Sequence, residues 1–255
     1  MTERTAVVTG AGRGIGLATV QALVDDGFTV IAGARTVTEA LRGATPYSVQ
    51  VDLAVAGGPE RLIGWAQQEH GGIDLLVNNV AGASFPTGGF LELDDAAWQY
   101  TFDATLLSTV RATRAALPSL LERRGAVVNI GSVNSRLAAP RLVAYSAAKA
   151  ALANLGKALA EEFGGRGVRV NTVLPGPVRT DLWTRPGGSG EMLARQAGST
   201  LDAFQDRLPE VLGLTTSRLT EPEEIAALVV FLASGRVANM SGSELVIDGG
   251  MLKSL

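Results

Sequence analysis

The stretch "TAVVTGAGRGIG", residues 5 to 16, decides the fold class of this chain. A short β-branched strand leads into a glycine turn, and the turn opens a helix with Ile15, Ala18 and Ala22 on one face. Glycines permit a tight turn and let backbone N–H groups approach an anion at a helix N-terminus. This order of elements predicts a site for the diphosphate of a dinucleotide rather than a plain glycine turn. The residues expected to hold it are Gly10, Gly12, Arg13, Gly14, Ile15 and Gly16.

Short β-branched runs alternate with helical patterns along the rest of the chain. The runs lie at 5 to 9, 29 to 34, 47 to 52, 73 to 78, 125 to 132, 168 to 175 and 243 to 250, with helices near 95 to 123, 145 to 164 and 222 to 233. Continuous apolar strands separated by helices are typical of a parallel sheet covered on both faces. The pattern predicts a doubly wound α/β fold, with residues 1 to 255 forming a single domain.

One segment, residues 182 to 218, interrupts this alternation. It contains a glycine-rich hinge and two short amphipathic helical patches. We expect the segment to act as a mobile lid that covers a substrate site within the same domain. The alternative is a surface loop with packed helices.

The composition excludes several classes of function. The 255 residues are 46% hydrophobic and carry a net charge of −3, which gives no broad positive field for nucleic acid. No apolar run reaches the roughly 18 residues needed to span a bilayer. The chain has no cysteine, and its N-terminus lacks the apolar core of a secretory signal, so we expect a cytoplasmic protein. The single histidine, His70, is expected to face solvent or cap a helix, and no metal site is expected.

The ends of the second and third strands indicate which dinucleotide is bound. An acidic residue at the end of the second strand would accept hydrogen bonds from the adenosine ribose, but here Ala34 is followed by Arg35 and Thr36. Arg35 and Arg13 can hold a 2′-phosphate that a carboxylate would repel. NADP(H) is therefore preferred, with NAD(H) possible. Asp52 and Leu53 are expected at the adenine, unless Asp52 only closes a turn.

A serine, a tyrosine and a lysine form the expected reaction centre. Ser132 ends the fifth strand, and "YSAAK" places Tyr145 and Lys149 one turn apart at the start of the next long helix. A phenol has an ordinary pKa of about 10, so it needs a neighbouring positive charge for acid–base work at neutral pH. Ser132 and Tyr145 would together stabilise an alkoxide as hydride moves between a nicotinamide and a carbon atom.

Several ordered motifs make the chain resemble the short-chain dehydrogenase/reductase family over nearly its whole length. They are "TGAGRGIG" (9 to 16), "DL" (52 to 53), "NNVAG" (78 to 82), "NIGS" (129 to 132), "YSAAK" (145 to 149), "PGPVRT" (175 to 180) and "DGG" (248 to 250). The resemblance implies a Rossmann-type sheet of about seven strands with helices on both faces. It also implies that Tyr145 donates or accepts a proton, that Lys149 binds the nicotinamide ribose and lowers the pKa of Tyr145, and that Ser132 orients the substrate.

The resemblance implies further cofactor contacts and an assembly. The additional cofactor-binding residues are Asn79, Ala81, Gly82, Pro175, Gly176, Val178 and Thr180, alongside Tyr145 and Lys149. Family members assemble as tetramers through the helices expected at 95 to 123 and 145 to 164. Those helices are rich in Ala and Leu, so a homotetramer, or a homodimer, is expected.

Two departures from the family pattern concern the site. The family reads Asn-Asn-Ala-Gly where this chain has "NNVAG", with an added valine. An asparagine of the family's catalytic set, which assists a water-mediated proton relay, is replaced by Thr105. In the family much of that role belongs to a backbone carbonyl at a helix irregularity, which a threonine can preserve.

The substrate wall is expected to combine the loop after Ser132 with the lid. Its residues are Ser132, Asn134, Leu137, Tyr145, Leu182, Trp183 and the loop at 83 to 90, a largely apolar set that suits medium-sized ketones or secondary alcohols. The lid residues Arg185 and Arg195 would meet an anionic substrate if they were not solvated. The predicted function is NADP(H)-dependent hydride transfer to or from a small carbonyl or alcohol. The alternative is a non-catalytic NADP(H)-binding regulatory protein; an epimerase or dehydratase usually needs a longer chain.

Overall fold

The computed structural model describes residues 4–82, 89–140 and 142–253. Seven strands form one parallel sheet in the order β3-β2-β1-β4-β5-β6-β7. They are β1 (Arg4–Thr9), β2 (Phe28–Ala34), β3 (Ser48–Gln50), β4 (Leu75–Asn78), β5 (Ala126–Ile130), β6 (Arg169–Pro175) and β7 (Glu244–Ile247). The strand order reverses between β1 and β4, which opens a crevice at the carboxyl ends of these strands.

Helices connect the strands and cover both faces of the sheet. They are α1 (Gly14–Asp25), α2 (Glu39–Ala44), α3 (Gly58–His70), α4 (Asp95–Phe102), α5 (Ser108–Arg123), α6 (Val143–Gly164), α7 (Asp181–Thr184), α8 (Ser189–Gln196), α9 (Leu201–Gln205), α10 (Leu208–Val211) and α11 (Pro222–Ala233). A π-helical turn, Asp103–Leu107, joins α4 to α5. Short 3-10 turns occupy Gly89–Glu92, Val133–Ser135 and Gly235–Val237.

Each face of the sheet has its own apolar core. On one face, side chains of α1 and α11 such as Leu23 and Val229 pack against alternate strand residues such as Val8. On the other face, Leu62 of α3 and Leu120 of α5 are fully buried, and they belong to the same cluster as strand residues of the opposite parity, including β1 and β5. Burying a leucine side chain contributes about 1.5–3 kcal/mol, so these two layers fix the sheet and with it the crevice.

The lid segment carries a third, smaller cluster. Its short helices α7 to α10 contribute the buried Ala194, Phe204 and Leu208, and Trp183 packs against them. Met251, from the carboxyl-terminal part of the chain, joins the same cluster. The sequence pattern predicts two helical patches here, and the structure has four short helices.

The predicted strands and helices are present with modest differences at their ends. β3 is only three residues long where the pattern predicts 47 to 52, because Asp52 already turns back on the backbone N–H of Ala54. The helix predicted over 95 to 123 is interrupted by the π-helical turn. The helix predicted to begin at Tyr145 begins two residues earlier, at Val143.

His70 is more enclosed than the sequence suggests. Its ring lies edge-on to Tyr47 at 4.5 Å and to Trp65 at 5.8 Å between centroids, and its Nε2 atom is buried without a hydrogen-bond partner. The histidine is thus half-buried against two aromatic rings, at the last position of α3. Within the described part of the chain, every helix is too short or too polar to cross a lipid bilayer.

Candidate active site

The glycine turn lies at the crevice and is held by very close backbone packing. Gly10 has a φ of 65°, in the left-handed region, and a Cβ there would lie 2.9 Å from Val80 Cα. A Cβ on Gly16 would lie 2.3 Å from the carbonyl oxygen of Gly10. Side chains at these two positions would thus push the turn away from the start of α1.

The N-terminus of α1 is free to meet an anion. The residue before the helix, Arg13, makes no capping hydrogen bond with its side chain, and the first turn contains no acidic residue. The first backbone N–H groups of a helix lack partners within it, and the helix dipole favours negative charge there. The turn and helix start therefore fit the diphosphate that the sequence predicts.

Asn79 locks the ends of β1 and β4 together beneath this turn. Its Nδ2 atom donates hydrogen bonds to the carbonyl oxygens of Thr9, at 3.1 Å, and Gly10, at 3.0 Å. Its backbone N–H donates to Thr9 Oγ1 at 2.9 Å. Asn79, which the resemblance places at the cofactor, thus connects the ends of these two strands at the crevice.

The end of β2 faces an open surface cavity rich in charge. Arg35, Gln50, Val51, Asp52 and Arg61 line it. Within the described part of the chain neither Arg35 nor Arg61 forms an ion pair. Sequence reasoning missed Arg61, because it lies on α3, eight residues beyond Leu53, and no motif marks it.

Arg13, the second arginine expected at the 2′-phosphate, is directed towards the lid. Its Nη1 atom lies 3.3 Å from Asp181 Oδ2, at the start of α7, and both side chains are largely exposed. Thr36, also expected here, is exposed, and Thr38 Oγ1 donates to the carbonyl oxygen of Gly12 at 3.2 Å. The loop after β2 is thereby tied to the glycine turn.

Asp52 and Leu53 differ in their availability to a ligand. Asp52 lines the cavity, and its Oδ1 atom accepts a hydrogen bond from the N–H of Ala54 at 2.9 Å. Leu53 is only 2% exposed, because its side chain belongs to the core on the α3 side of the sheet. Of the two, Asp52 is the one whose side chain the structure leaves open to an adenine.

Ser132, Tyr145 and Lys149 come together at the carboxyl end of β5. Ser132 follows that strand and is buried, and Tyr145 lies in the first turn of α6, which packs against the 3-10 turn that Ser132 caps. The Nζ atom of Lys149 lies 5.7 Å from the centroid of the Tyr145 ring and donates to the carbonyl oxygen of Ile130 at 2.7 Å. The three groups that the sequence predicts as the reaction centre thus share one small volume.

Burial shifts the pKa of two groups in this centre. Burial raises the pKa of Tyr145, while the hydrogen bond from Ser132 acts in the lowering direction. Burial also lowers the pKa of Lys149 to about 7. Burial is the largest influence on the phenol. That Lys149 lowers the pKa of Tyr145 stays a prediction.

Thr105 lies within the π-helical turn and is completely buried. Its Oγ1 atom donates to the carbonyl oxygen of Gly82 at 2.9 Å and accepts from the Gly82 N–H at 3.3 Å. The side chain therefore closes the turn after β4. The π-helical turn supplies the helix irregularity that the family resemblance places at this position.

The segment after β6 reaches both the last strand and the glycine turn. The Gly176 N–H donates to the carbonyl oxygen of Ile247 at 2.9 Å, and a Cβ on Gly176 would lie 2.7 Å from Asp248 Cα. Val178 is buried, and Thr180 is so placed that a Cβ on Gly14 would lie 3.0 Å from its Cγ2 atom. Of these expected cofactor-binding residues, Thr180 adjoins the start of α1.

The expected substrate wall is described only in part. Asn134 and Leu137 are half-buried beside Ser132, Leu182 is 43% exposed, and Trp183 packs into the lid cluster. Residues 83–88 of the predicted wall lie outside the described residues. Both lid arginines are paired, Arg185 with Asp181 just before the lid at 3.7 Å and Arg195 with Glu191 inside it at 3.0 Å.

Comparisons with known proteins agree with this architecture. A family model described as enoyl-(acyl carrier protein) reductase matches residues 10–252. The 2-(S)-hydroxypropyl-CoM dehydrogenase 3 of Xanthobacter autotrophicus is 35% identical, over 96% of this chain and 94% of its own.

Solved structures give the same result. L-sorbose reductase from Gluconobacter frateurii, complexed with NADPH and L-sorbose, superposes with a TM-score of 0.89 at 29% identity, over 100% of this chain and 98% of its own. An NADPH-bound short chain oxidoreductase from Pseudomonas aeruginosa, described as containing an atypical catalytic center, superposes with a TM-score of 0.87 at 31% identity, over 100% and 99%. These relatives carry the names of enzymes and give no support to a non-catalytic regulator. The chain belongs to the short-chain dehydrogenase/reductase family, whose members are oxidoreductases that bind nicotinamide cofactors.

Proposed function

We propose that this protein is an NADP(H)-dependent oxidoreductase that interconverts a ketone and a secondary alcohol, with carbonyl reduction as the favoured direction. The observation that carries the proposal is the grouping of Ser132, Tyr145 and Lys149 at the end of β5. The relatives support the substrate class, since a hydroxypropyl dehydrogenase and a sorbose reductase act on hydroxyl and carbonyl groups by name.

The roles of the three residues follow from their positions. A nicotinamide cofactor supplies the hydride for reduction. Tyr145 donates its phenolic proton to the carbonyl oxygen as that oxygen gains negative charge, and Ser132 hydrogen-bonds to the same oxygen. The raised pKa of Tyr145 keeps the phenol protonated at neutral pH, as a proton donor requires. Lys149, anchored on the carbonyl oxygen of Ile130, holds its amino group beside the phenol.

The cavity at the end of β2 supports a preference for NADP(H). Two guanidiniums without carboxylate partners in the described part of the chain, Arg35 and Arg61, border it. Arginine recognises phosphate through paired N–H donors, and the absence of an acid after β2 leaves a 2′-phosphate unopposed there. The carboxylate of Asp52 lies on the same rim, where it suits an adenine amino group. NAD(H) has no 2′-phosphate, so it would lack the contacts with Arg35 and Arg61.

Further parts of the proposal concern the setting of the enzyme. Residues 182 to 218 act as a substrate-covering lid within a single domain, and the protein works in the cytoplasm as a homotetramer or homodimer. The separate lid cluster supports the first point, because a segment with its own apolar core can move as a unit. Two exposed apolar side chains near the β7 edge of the sheet, Phe231 of α11 and Val246 of β7, support an assembly interface.

Removal of the Tyr145 hydroxyl tests the catalytic assignment. Tyr145→Phe is expected to lower turnover at least about a hundredfold, the usual range for a general acid, while the dissociation constant for NADPH changes by less than about twofold. The measurement is NADPH oxidation with a panel of ketones and diketones, alongside fluorescence titration of the cofactor. Tyr47→Phe makes the same chemical change far from the site and should keep full turnover; retained turnover in Tyr145→Phe would refute the role.

The cofactor preference has a separate test. NADPH is expected to bind at least about tenfold tighter than NADH, a difference of about 1.4 kcal/mol. Arg35→Ala and Arg61→Ala should each reduce that ratio by weakening NADPH alone, whereas Arg42→Ala, which removes an exposed arginine of α2, should leave it unchanged. Equal dissociation constants for the two cofactors in the unmodified protein would contradict the proposal.

A further inference from the structure

The turn that carries Asp52 leaves the sheet early. β3 ends at Gln50, and the backbone N–H of Val51 donates to the carbonyl oxygen of Ala34 at 2.8 Å, just beyond the paired residues. Residues 55–57, further along the turn, are exposed. Sheet pairing therefore does not extend to Asp52, although its carboxylate lies on the rim of the cavity at the end of β2.

A guanidinium from a distant helix holds this turn. Arg111 of α5 donates from its Nη1 atom to the carbonyl oxygen of Ala54 at 3.2 Å. The backbone N–H of the same alanine donates to Asp52 Oδ1 at 2.9 Å. Within the described part of the chain, the bond from Arg111 is the one hydrogen bond that ties residues 52–57 to an element other than α3. The carboxylate of Asp52 is thus linked to Arg111 through a single residue.

Arg111 is itself held on its other side. Its Nη2 atom donates to Asp103 Oδ1 at 3.0 Å, and the second carboxylate oxygen of Asp103 accepts from Gln99 Nε2 at 2.7 Å. The side chains of Arg111 and Asp103 are only 20% and 24% exposed. Asp103 opens the π-helical turn, so the guanidinium bridges that turn and the turn after β3. Because a guanidinium presents its donors in a rigid plane, the contact with Asp103 also directs the contact with Ala54.

Arg111 is absent from the lining of the cavity, so it reaches a cofactor only through Ala54 and Asp52. We propose that Arg111 is a positioning residue for the adenine of the cofactor: it holds Ala54 so that the carboxylate of Asp52 accepts a hydrogen bond from the adenine amino group. The inference rests on the proposed function, which places that amino group at Asp52. It extends the recognition of the adenine to α5, beyond the residues that the family resemblance implies.

Arg111 and the arginines of the cavity have different expected effects. Arg35 and Arg61 border the cavity where the 2′-phosphate is proposed, so their removal weakens NADPH alone. The adenine amino group is present in both NADH and NADPH. Removal of Arg111 should therefore weaken the two cofactors by the same factor.

The test compares NADH with its hypoxanthine analogue, in which an oxo group replaces the adenine amino group. Fluorescence titration of the full-length, cofactor-free protein gives both dissociation constants. The unmodified protein should bind NADH about three- to tenfold tighter than the analogue, the range of one ordinary hydrogen bond. Arg111→Met should bring this ratio close to one, because Asp52 is no longer held in place. Both constants come from one preparation, so a loss of folded protein cancels in their ratio.

Further variants separate positioning from a general disturbance of the helix. Arg114→Met removes an exposed arginine of α5 and should leave the ratio unchanged. Arg111→Lys keeps a charge beside Asp103 but lacks the planar fork, so it should also lower the ratio, and it serves as the test variant if Arg111→Met does not fold. Asp52→Ala should bring the ratio close to one, and adding Arg111→Met to it should change the ratio no further.

Three results would overturn the proposal. The first is an unchanged ratio in Arg111→Met or, if that variant does not fold, in Arg111→Lys. The second is a further change when Arg111→Met is added to Asp52→Ala. The third is equal or tighter binding of the analogue by the unmodified protein, because Asp52 would then make no contact with the amino group.

These outcomes are distinguishable from a failure of the proposed function. Retained turnover in Tyr145→Phe, or equal affinity of the unmodified protein for NADPH and NADH, would refute that function. Neither result would alter the ratio between NADH and its hypoxanthine analogue, on which the role of Arg111 depends.

Discussion

The floor of the site and the lid above it are built in opposite ways. The floor, comprising residues 9–16, 78–82, Ser132, Tyr145 and Lys149, is held by buried backbone contacts and short hydrogen bonds, such as those of Asn79 to Thr9 and Gly10. The lid, residues 182–218, begins directly after Asp181, and the exposed pair of Arg13 and Asp181 at 3.3 Å joins this end of the segment to the glycine turn. Closely packed contacts of the first kind exclude water. Exposed ion pairs contribute little to the free energy of folding, and they break and re-form readily in water.

This difference suits a rigid floor and a mobile lid. The reacting groups must keep their geometry, because small displacements cost large factors in rate. A lid of the kind proposed must open for a substrate to enter, and weak exposed ties allow that. Variants that disturb the floor should therefore affect folding, while variants of the tie should affect only binding.

The largest expected effect comes from the charge buried in the floor. Because burial lowers the pKa of Lys149 to about 7, the unfolded chain binds one more proton than the folded protein at every pH between that value and its ordinary pKa of 10.5. The free energy of unfolding should thus rise with pH by about 1.4 kcal/mol per unit from about pH 7 to about pH 10. Above pH 10, the raised pKa of Tyr145 acts in the opposite direction.

Denaturant titrations across this pH range, without cofactor, measure the slope. Lys149→Met should flatten it, and Lys157→Met, an exposed lysine of the same helix, should not. If the free energy of unfolding depended on pH equally in the wild type and in Lys149→Met, Lys149 would be solvated and charged in the folded protein. The floor of the site would then admit water.

Close packing of the glycine turn predicts the next effect. Gly16→Ala places a Cβ 2.3 Å from the Gly10 carbonyl oxygen and 2.6 Å from Asn79 Nδ2, so the turn or the helix must shift. We expect a loss of about 1–3 kcal/mol in stability, as for other overpacked sites, and loss of cofactor binding. Thermal denaturation and cofactor titration measure the two losses.

A helical glycine without neighbours provides the matched control. A Cβ added to Gly64 of α3 would meet no atom within 4 Å, so Gly64→Ala should stabilise the protein by about 0.5–1 kcal/mol. If both alanine variants had the same effect, close packing at the turn would not explain the intolerance of position 16.

The smallest effect tests the tie to the lid. Asp181→Asn releases Arg13 from its ion pair, so the arginine becomes available to a 2′-phosphate. NADPH should bind up to about fivefold tighter, the upper range for an exposed pair, with NADH binding unchanged. Fluorescence titrations of the variant with NADPH and with NADH measure the two changes in affinity. An equal increase in affinity for both cofactors would mean that the ion pair acts on the lid rather than on the 2′-phosphate.

Much of the fold and the centre of the site could be predicted from the sequence. Strand periodicity gave the seven parallel strands, and the position of "GAGRGIG" after the first strand gave the glycine turn, because both depend on local residue patterns. Ser132, Tyr145 and Lys149 were predicted together, since the end of a strand and the start of the next helix meet at the same edge of the sheet. Their assigned roles stay predictions.

The remaining features depend on contacts between distant segments, which no local pattern reveals. Arg61 joins the cavity only because α3 packs beside β3, and Arg13 meets Asp181 across 168 positions of sequence. The burial that raises the pKa of Tyr145 comes from the assembled core, which the spacing of Tyr145 and Lys149 does not reveal.

The contact of Met251 with the lid cluster has a practical consequence for handling the protein. Because Met251 packs with the lid residues and Lys253 donates to Thr215 Oγ1 at 2.7 Å, the carboxyl-terminal residues form part of the lid's support. A purification tag or fusion partner attached at that end would pull directly on the cover of the site. Affinity handles, surface immobilisation and fluorescent fusions therefore belong at the amino-terminal end, ahead of β1.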